Sequence, residues 1–268
     1  VRRPLPPKPR TLAPVRPNVG LQTLYQRRLD ALITEMHNSI LYWLGAAWKA
    51  NPPEATLAMD KSPAAMLRSA VRKLTRRWQK RFDQAAQDLA DYFAAASADR
   101  SDARMKQILK DGGITVDFKM TAAMNDALQA TIGEQVGLIR SIASEHLSAV
   151  EGIAMRSIQE GRNLGHMAKE LEQRFGVTKR RAALISRDQS NKSTATFTRV
   201  RQLQVGITEA IWEHSRGGKH ARPEHLAASG KKYSVETGMW LEGKWTFPGR
   251  EINCRCYSRP LIQGFDPL

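Results

Sequence analysis

The stretch Gln204-Val205-Gly206-Ile207-Thr208-Glu209-Ala210-Ile211-Trp212-Glu213-His214 is where the chain changes period. Before it, apolar residues recur every three or four positions, as on one face of a helix; after it they alternate, as on a half-buried strand. Gly206 suits the left-handed turn that ends a helix, and Ala210 and Trp212 fall on one face of the strand that follows. The reading is a mainly α-helical α+β protein, a long-helix body followed by a small mixed α+β C-terminal module.

Working upstream, Leu21, Tyr25, Leu29, Leu32, Ile33, Met36, Ile40, Trp43, Leu44 and Ala47 mark one apolar helix face. Asn51-Pro52-Pro53 stops that helix, and Ser62-Pro63 has the form of an N-cap with proline in the first turn. A second long helix runs through Leu67, Leu74, Trp78, Phe82, Ala85, Leu89 and Phe93. Asp111-Gly112-Gly113 breaks it, and Ile114, Val116 and Phe118 alternate like a short strand. Thr121 is placed to cap the next helix, and Ser144 to cap another that ends near Gly161. Leu164, Met167, Leu171 and Phe175 spell a short helix closed by Gly176, with Val177-Thr178 opening the next. The expected organisation is an arm over 1–20, a helical body over 21–176 and a module over 177–268.

Downstream, Lys231-Tyr233-Val235 and Met239-Leu241 are strand candidates. Glu242-Gly243 has the composition of a two-residue hairpin turn before Trp245 and Phe247, and Pro248-Gly249 makes a further turn.

Charge separates classes of partner. Forty-two basic and 26 acidic residues give a net +16, which favours nucleic acid, an anionic surface or an acidic protein. Residues 1–20 carry six prolines and five cations with no acid, so they read as an extended basic arm. Arg68, Arg72, Lys73, Arg76, Arg77, Lys80 and Arg81 line the polar side of the second helix, a strip suited to phosphate or to solvent. Lys179-Arg180-Arg181, at the expected start of a helix, opposes the helix dipole and invites an anion. No run of about 18 apolar residues exists, so no membrane-spanning helix is expected. Two cysteines do not make a disulfide framework, and their Cys-x-Cys spacing disfavours a mutual bridge.

Chemistry concentrates between His214 and Cys256. On a strand, Cys254 and Cys256 would project to the same face and both reach one ion, with His225 as third ligand and His214 or His220 as fourth. Zinc is the one cofactor this set suggests; the plain alternative is two buried thiols and a structural histidine. A nuclease reading has Arg222, His225 and Asn253, but no histidine follows His225 and the carboxylates lack ligand spacing. A nucleophilic thiol beside Arg250, Arg255 and Arg259 lacks an orienting Asn or Asp. Scaffolding uses the same residues more simply. Trp212, Trp240 and Trp245 offer apolar surface, Gly217-Gly218, Gly230 and Pro248-Gly249 make turns, and Arg222 and His225 tie loops to carbonyls.

The ordered combination of Ile185–Lys192, Trp212, Arg222-x-x-His225, Ser229-Gly230, Pro248-Gly249 and Asn253-Cys254-Arg255-Cys256 resembles the phage Mu F-like family of minor head, or head morphogenesis, proteins. The resemblance covers roughly 177–261. It implies a non-enzymatic protein present in few copies inside the phage head, reaching it from the host cytoplasm during assembly. It also implies the portal protein as partner, with major capsid or scaffold proteins and double-stranded DNA as further contacts, and roles in head assembly and in DNA packaging or delivery. One departure is plain: the turn after Trp212 lacks the Thr and Asp common in the family.

Overall fold

A computed structural model of the chain describes residues 10–50, 63–160, 164–217 and 221–262. The expected stop at Asn51-Pro52-Pro53, the cap at Ser62, the end near Gly161 and the first half of the basic arm lie outside these residues, as do Gly218 and His220. In chain order the elements are β1 (Arg10–Thr11), α1 (Val19–Lys49), α2 (Pro63–Asp111), α3 (Ala122–Gln159) and α4 (Leu164–Gln204). They are followed by β2 (Glu209–Glu213), α5 (Pro223–Ala228), β3 (Lys232–Ser234), β4 (Met239–Leu241), β5 (Lys244–Thr246) and β6 (Tyr257–Ile262). Long helices and a small C-terminal β portion are the α+β architecture read from the period change.

The chain forms two compact units. One comprises Thr23–Asp91 and Gly133–Ser186, the other Val1–Gln22, Tyr92–Ile132 and Arg187–Leu268. The divisions fall inside α1, α2, α3 and α4.

The first unit is wholly helical among its described residues. Leu29, Ile33, Met36, Ile40 and Leu44 are fully buried along α1, as the periodicity requires. Trp43, expected on that face, is 47% exposed, while Trp48 is buried. The face drifts because 3.6 residues per turn carry position 48, four beyond Leu44, inward and position 43 outward. Helices α3 and α4 run through the breaks expected at Ser144 and Gly176. Ile139, Ile142, Ala143, His146, Leu147 and Val150 make a stripe that passes Ser144 unbroken, and Ser144 bonds back to the Ser141 carbonyl. Met167, Leu171, Thr178, Ala182 and Ile185 do the same past Gly176. A buried polar residue at each stripe's centre, His146 and Thr178, hid that continuity from a hydropathy reading. Lys179-Arg180-Arg181 is consequently helix interior rather than a helix start, and Arg181 pairs with Glu145 at 2.8 Å.

His37 and His146 are buried. His146 Nδ1 meets Thr178 Oγ1 at 2.8 Å, and His37 stacks on Phe175 with ring centres 4.2 Å apart while its Nε2 meets Glu172 at 2.9 Å. Burial, then Arg174 and His37, lower the pKa of His146 to about 4. Between that value and the ordinary histidine value near 6.5, the unfolded chain takes up a proton that the folded chain refuses. Stability from this group is therefore complete above about pH 6.5 and is lost as pH falls toward 4, by an amount on the order of 3 kcal/mol. Urea unfolding at pH 7 and pH 4.5 should show a steeper acid loss for the native chain than for His146→Gln; equal losses would refute it.

The second unit holds the β structure. Its main sheet is antiparallel throughout, ordered β1-β6-β2-β3, and β4-β5 is a separate hairpin. Gly206, with φ of 78°, ends α4 by taking Ile207 N–H to the Gln202 carbonyl and its own N–H to that of Leu203. Gly113 ends α2 in the same way. Thr121 caps α3 through Met124 N–H at 3.2 Å. Glu242 and Gly243 both have positive φ, the two-residue turn that joins twisted strands.

Three expectations change here. Ile114, Val116 and Phe118 form no strand; the sheet already ends in β1, and these side chains instead pack on a core of Leu12, Val15, Met105, Ile108, Leu109, Ile207 and Ile262. The described part of the basic arm is tied down, with Arg10 and Thr11 paired to β6 and Leu12 and Val15 buried. Trp212 is fully buried, but Trp240 and Trp245 are 57% and 60% exposed, stacked edge to face on the two-stranded hairpin. A two-stranded ribbon has only one face to press against the rest, and Leu241 occupies it.

Candidate functional site

The C-terminal half of α4 positions the site. Asp188 accepts the Asn253 N–H at 2.6 Å, Asn191 Nδ2 donates to the Cys254 carbonyl at 2.9 Å, and Arg187 Nε donates to Asn253 Oδ1 at 3.2 Å. Asn253 takes φ of 59°, a left-handed conformation that asparagine tolerates better than most residues. Asn253 is thus a turn residue bound to α4. Gly249 sits beside it with φ of 83°; an added Cβ would stand 3.0 Å from Ala195 Cβ and 3.2 Å from the Cys256 carbonyl oxygen. Only glycine lets the loop approach α4 this closely.

Cys254 and Cys256 follow this turn in a segment that precedes β6 and belongs to no strand, contrary to expectation. Both are buried and free of disulfide. His225 comes from α5, which the sequence reading missed although Pro223 stands at its first turn. Its Nδ1 lies 3.4 Å from Cys254 Sγ and 3.7 Å from Cys256 Sγ. The three donor atoms fall within 4.8 Å of one another and form the one His/Cys/Asp/Glu cluster of metal-holding geometry among the described residues. For nitrogen about 2.05 Å and sulfur about 2.3 Å from zinc, a tetrahedral N···S edge is about 3.6 Å. The two measured separations bracket it.

The thiols are unequal. Hydrogen bonds from Cys256 and His225 hold Cys254 below the ordinary thiol range despite its burial. Donation to Cys254, together with burial, pushes Cys256 up. Trp212 packs edge-on to His225 at 5.1 Å, and Ala210, Tyr233, Val235 and Leu241 complete the apolar wall.

The other expected residues fall around this centre. Arg222 donates to the Ile252 carbonyl at 3.1 Å and pairs with Glu242, so it does tie a loop; His225 faces sulfur rather than a carbonyl. Gly230 takes φ of 87° and its N–H reaches the Trp212 carbonyl, and Pro248 enters the turn at Gly249. His214 lines the cleft over the cysteines but stands outside the ligand cluster, and its Nδ1 accepts the Arg216 N–H. The nearby acids are engaged elsewhere: Glu224 accepts the Glu242 N–H, and Glu251 accepts from Lys244 and Thr246. Of the cation strip, Arg72, Lys73, Arg76, Arg77 and Lys80 are all exposed on α2; Arg180 is exposed and Lys179 half-buried over Phe175. Asp188 and Asn191 lie in the Ile185–Lys192 stretch that carries the resemblance, but sequence reasoning gave neither of them the role of holding the cysteine loop, since two polar side chains three apart in a polar helix are a weak signal.

Residues 148–259 match the family described as Phage Mu protein F like protein. An uncharacterized protein of Haemophilus influenzae (strain ATCC 51907 / DSM 11121 / KW20 / Rd) is 25% identical over 266 residues, 97% of this chain. The chain spans 57% of that relative's length. No solved structure matches.

Proposed function

We propose, from the Phage Mu F-like domain that residues 148–259 carry, that this chain builds phage heads as a minor structural component at the portal vertex. The family is one of phage head morphogenesis, a structural rather than catalytic role. The match is the observation that carries the reading, and it spans the α4 helix and the module anchored on it. The portal protein is the partner, with capsid or scaffold proteins beside it, and the site of action is the virion interior. The net charge of +16 suits a neighbour of packaged DNA. Contact would run through phosphates at Arg72, Lys73, Arg76, Arg77 and Lys80, and at Lys179 and Arg180, without reading bases. Such a component needs a rigid module more than a reactive one, and the His225–Cys254–Cys256 centre supplies it as a structural knot fitted for zinc.

The test is genetic. In a phage encoding this protein, disrupting its gene should yield aberrant or DNA-poor heads, restored by the intact gene, and the protein should be found in purified virions at few copies per portal. A rescue gene with the five α2 cations changed to alanine should restore head shape but leave DNA filling low. Infectious, full heads without the gene, from virions that never contained the protein, would overturn the reading.

A further inference from the structure

A second cleft, away from the cysteine centre, lies among residues 13–21, the C-terminal third of α2 and the C-terminal half of α4. It encloses about 490 Å³. Arg16, Arg100 and Arg104 line it, with no carboxylate among its lining residues, and the Arg16 guanidinium rests on the Tyr257 ring at 4.9 Å. Arg100 and Arg104 are exposed and one helical turn apart, so both can swing to the cleft. The α1 N-terminus opens onto it, capped by Asn18 through the Leu21 N–H at 2.8 Å.

The deeper wall is what makes this a built site. Ser97 and Ser101 of α2 and Ser190 and Thr194 of α4 line it, each between 3% and 7% exposed. A hydroxyl buried in a helix ordinarily turns back on the carbonyl a turn earlier. Thr34, Thr131, Thr178, Ser186 and Ser193 do so in this chain. Among the described residues, the cleft's four hydroxyls make no such bond and have no other side-chain partner. Hydroxyls on buried residues that open onto a cation-lined cavity, with no partner in the fold, are donors that an oxyanion entering the cleft can use.

We propose that this cleft is a phosphate-binding site, taking a phosphate group of a nucleotide or of a polynucleotide end. Guanidinium pairs hold phosphate oxygens bidentately, and the hydroxyls supply further donors at the depth a terminal phosphate reaches. The donors exceed what one carboxylate can accept, and the volume leaves room for a sugar behind the phosphate. No aromatic side chain lines the cleft, so bases have no stacking platform and should not be distinguished. The inference stands on the cleft alone and holds whether or not the head-assembly reading does.

Calorimetric titration of the whole chain at low salt tests it. The probes are inorganic phosphate, adenosine monophosphate, a short single-stranded oligonucleotide with a 5′-phosphate and the same oligonucleotide without it. Binding of a phosphate monoester at one site per chain is expected, weakened at least tenfold by Arg100→Gln/Arg104→Gln and several-fold by Ser97→Ala/Ser101→Ala. Neither pair should shift the melting temperature, because the arginines are exposed and alanine favours helix. Inorganic phosphate bound as well as the nucleotide would identify a free-anion site; preference for the 5′-phosphorylated strand would identify a nucleic-acid end, and both support the proposal. Absence of binding by every phosphate probe, equal binding of both oligonucleotides unaffected by either variant pair, or tighter binding of an acidic peptide would overturn it.

Discussion

Asp102→Ala is expected to destabilise its unit by about 3–5 kcal/mol, more than any surface substitution in the chain. Arg201, from the last turn of α4, is 2% exposed. Its Nε and Nη2 donate to the two Asp102 carboxylate oxygens at 2.7 and 2.6 Å, and Nη1 donates to the Lys119 carbonyl at 2.8 Å and to Gln204 at 2.6 Å. Phe118 lies under the guanidinium at 4.7 Å. Removing the carboxylate leaves a buried cation with no counter-ion, whereas Asp102→Leu/Arg201→Met removes both charges and should recover most of the loss. Urea unfolding of the single and double variants measures this. A cost below about 1 kcal/mol for Asp102→Ala would mean that water screens the pair as it does at a surface. The same arginine explains why residues 114–118 make no strand: their loop is held by a side chain and a core rather than by a ladder.

Zinc is the second large effect. Protein purified without chelator should carry about one zinc per chain, and Cys254→Ser/Cys256→Ser should carry less than a tenth of that. An ion that binds the folded arrangement and not the unfolded chain stabilises by about 4 kcal/mol once its concentration is a thousand times the dissociation constant. Chelation should accordingly lower the melting temperature by several degrees in the native chain and leave the double variant unmoved. Asn191→Ala, which touches no ligand atom but frees the Cys254 carbonyl from α4, should weaken zinc binding with the thiols intact. A metal-free native protein whose melting temperature ignores added zinc would leave a thiol–imidazole knot in its place. The head-assembly reading survives either result, since it rests on the Mu F-like match.

Much of the module was legible because its signals are local. Gly206, Glu242-Gly243 and Pro248-Gly249 announce turns through backbone freedom that any chain context respects, and the alternation at Ala210 and Trp212 announces a buried strand face. The cysteine pair was legible for a different reason: the chain has only two cysteines, two residues apart, whereas six histidines left their partner to the fold. What the sequence concealed was non-local. β6 reads as an unremarkable Tyr-Ser-Arg-Pro-Leu-Ile run, and becomes a central strand only because β1 and β2 flank it from opposite ends of the chain. Pro260 is tolerated there because the β1 edge is two residues long.

By itself, then, the sequence determined which stretches before residue 205 are helical, where the period changes, and which side chains could meet a metal, since periodicity, turn chemistry and residue scarcity are properties of short stretches. Only the tertiary structure decided that Ser144 and Gly176 sit inside unbroken helices, that His37 and His146 are buried, and that Trp240 and Trp245 are not. It alone brought His225 against Cys254 and Cys256, and turned four hydroxyls into a cleft. Burial and ligand geometry depend on what another part of the chain places opposite a residue, and no window along the sequence contains that information.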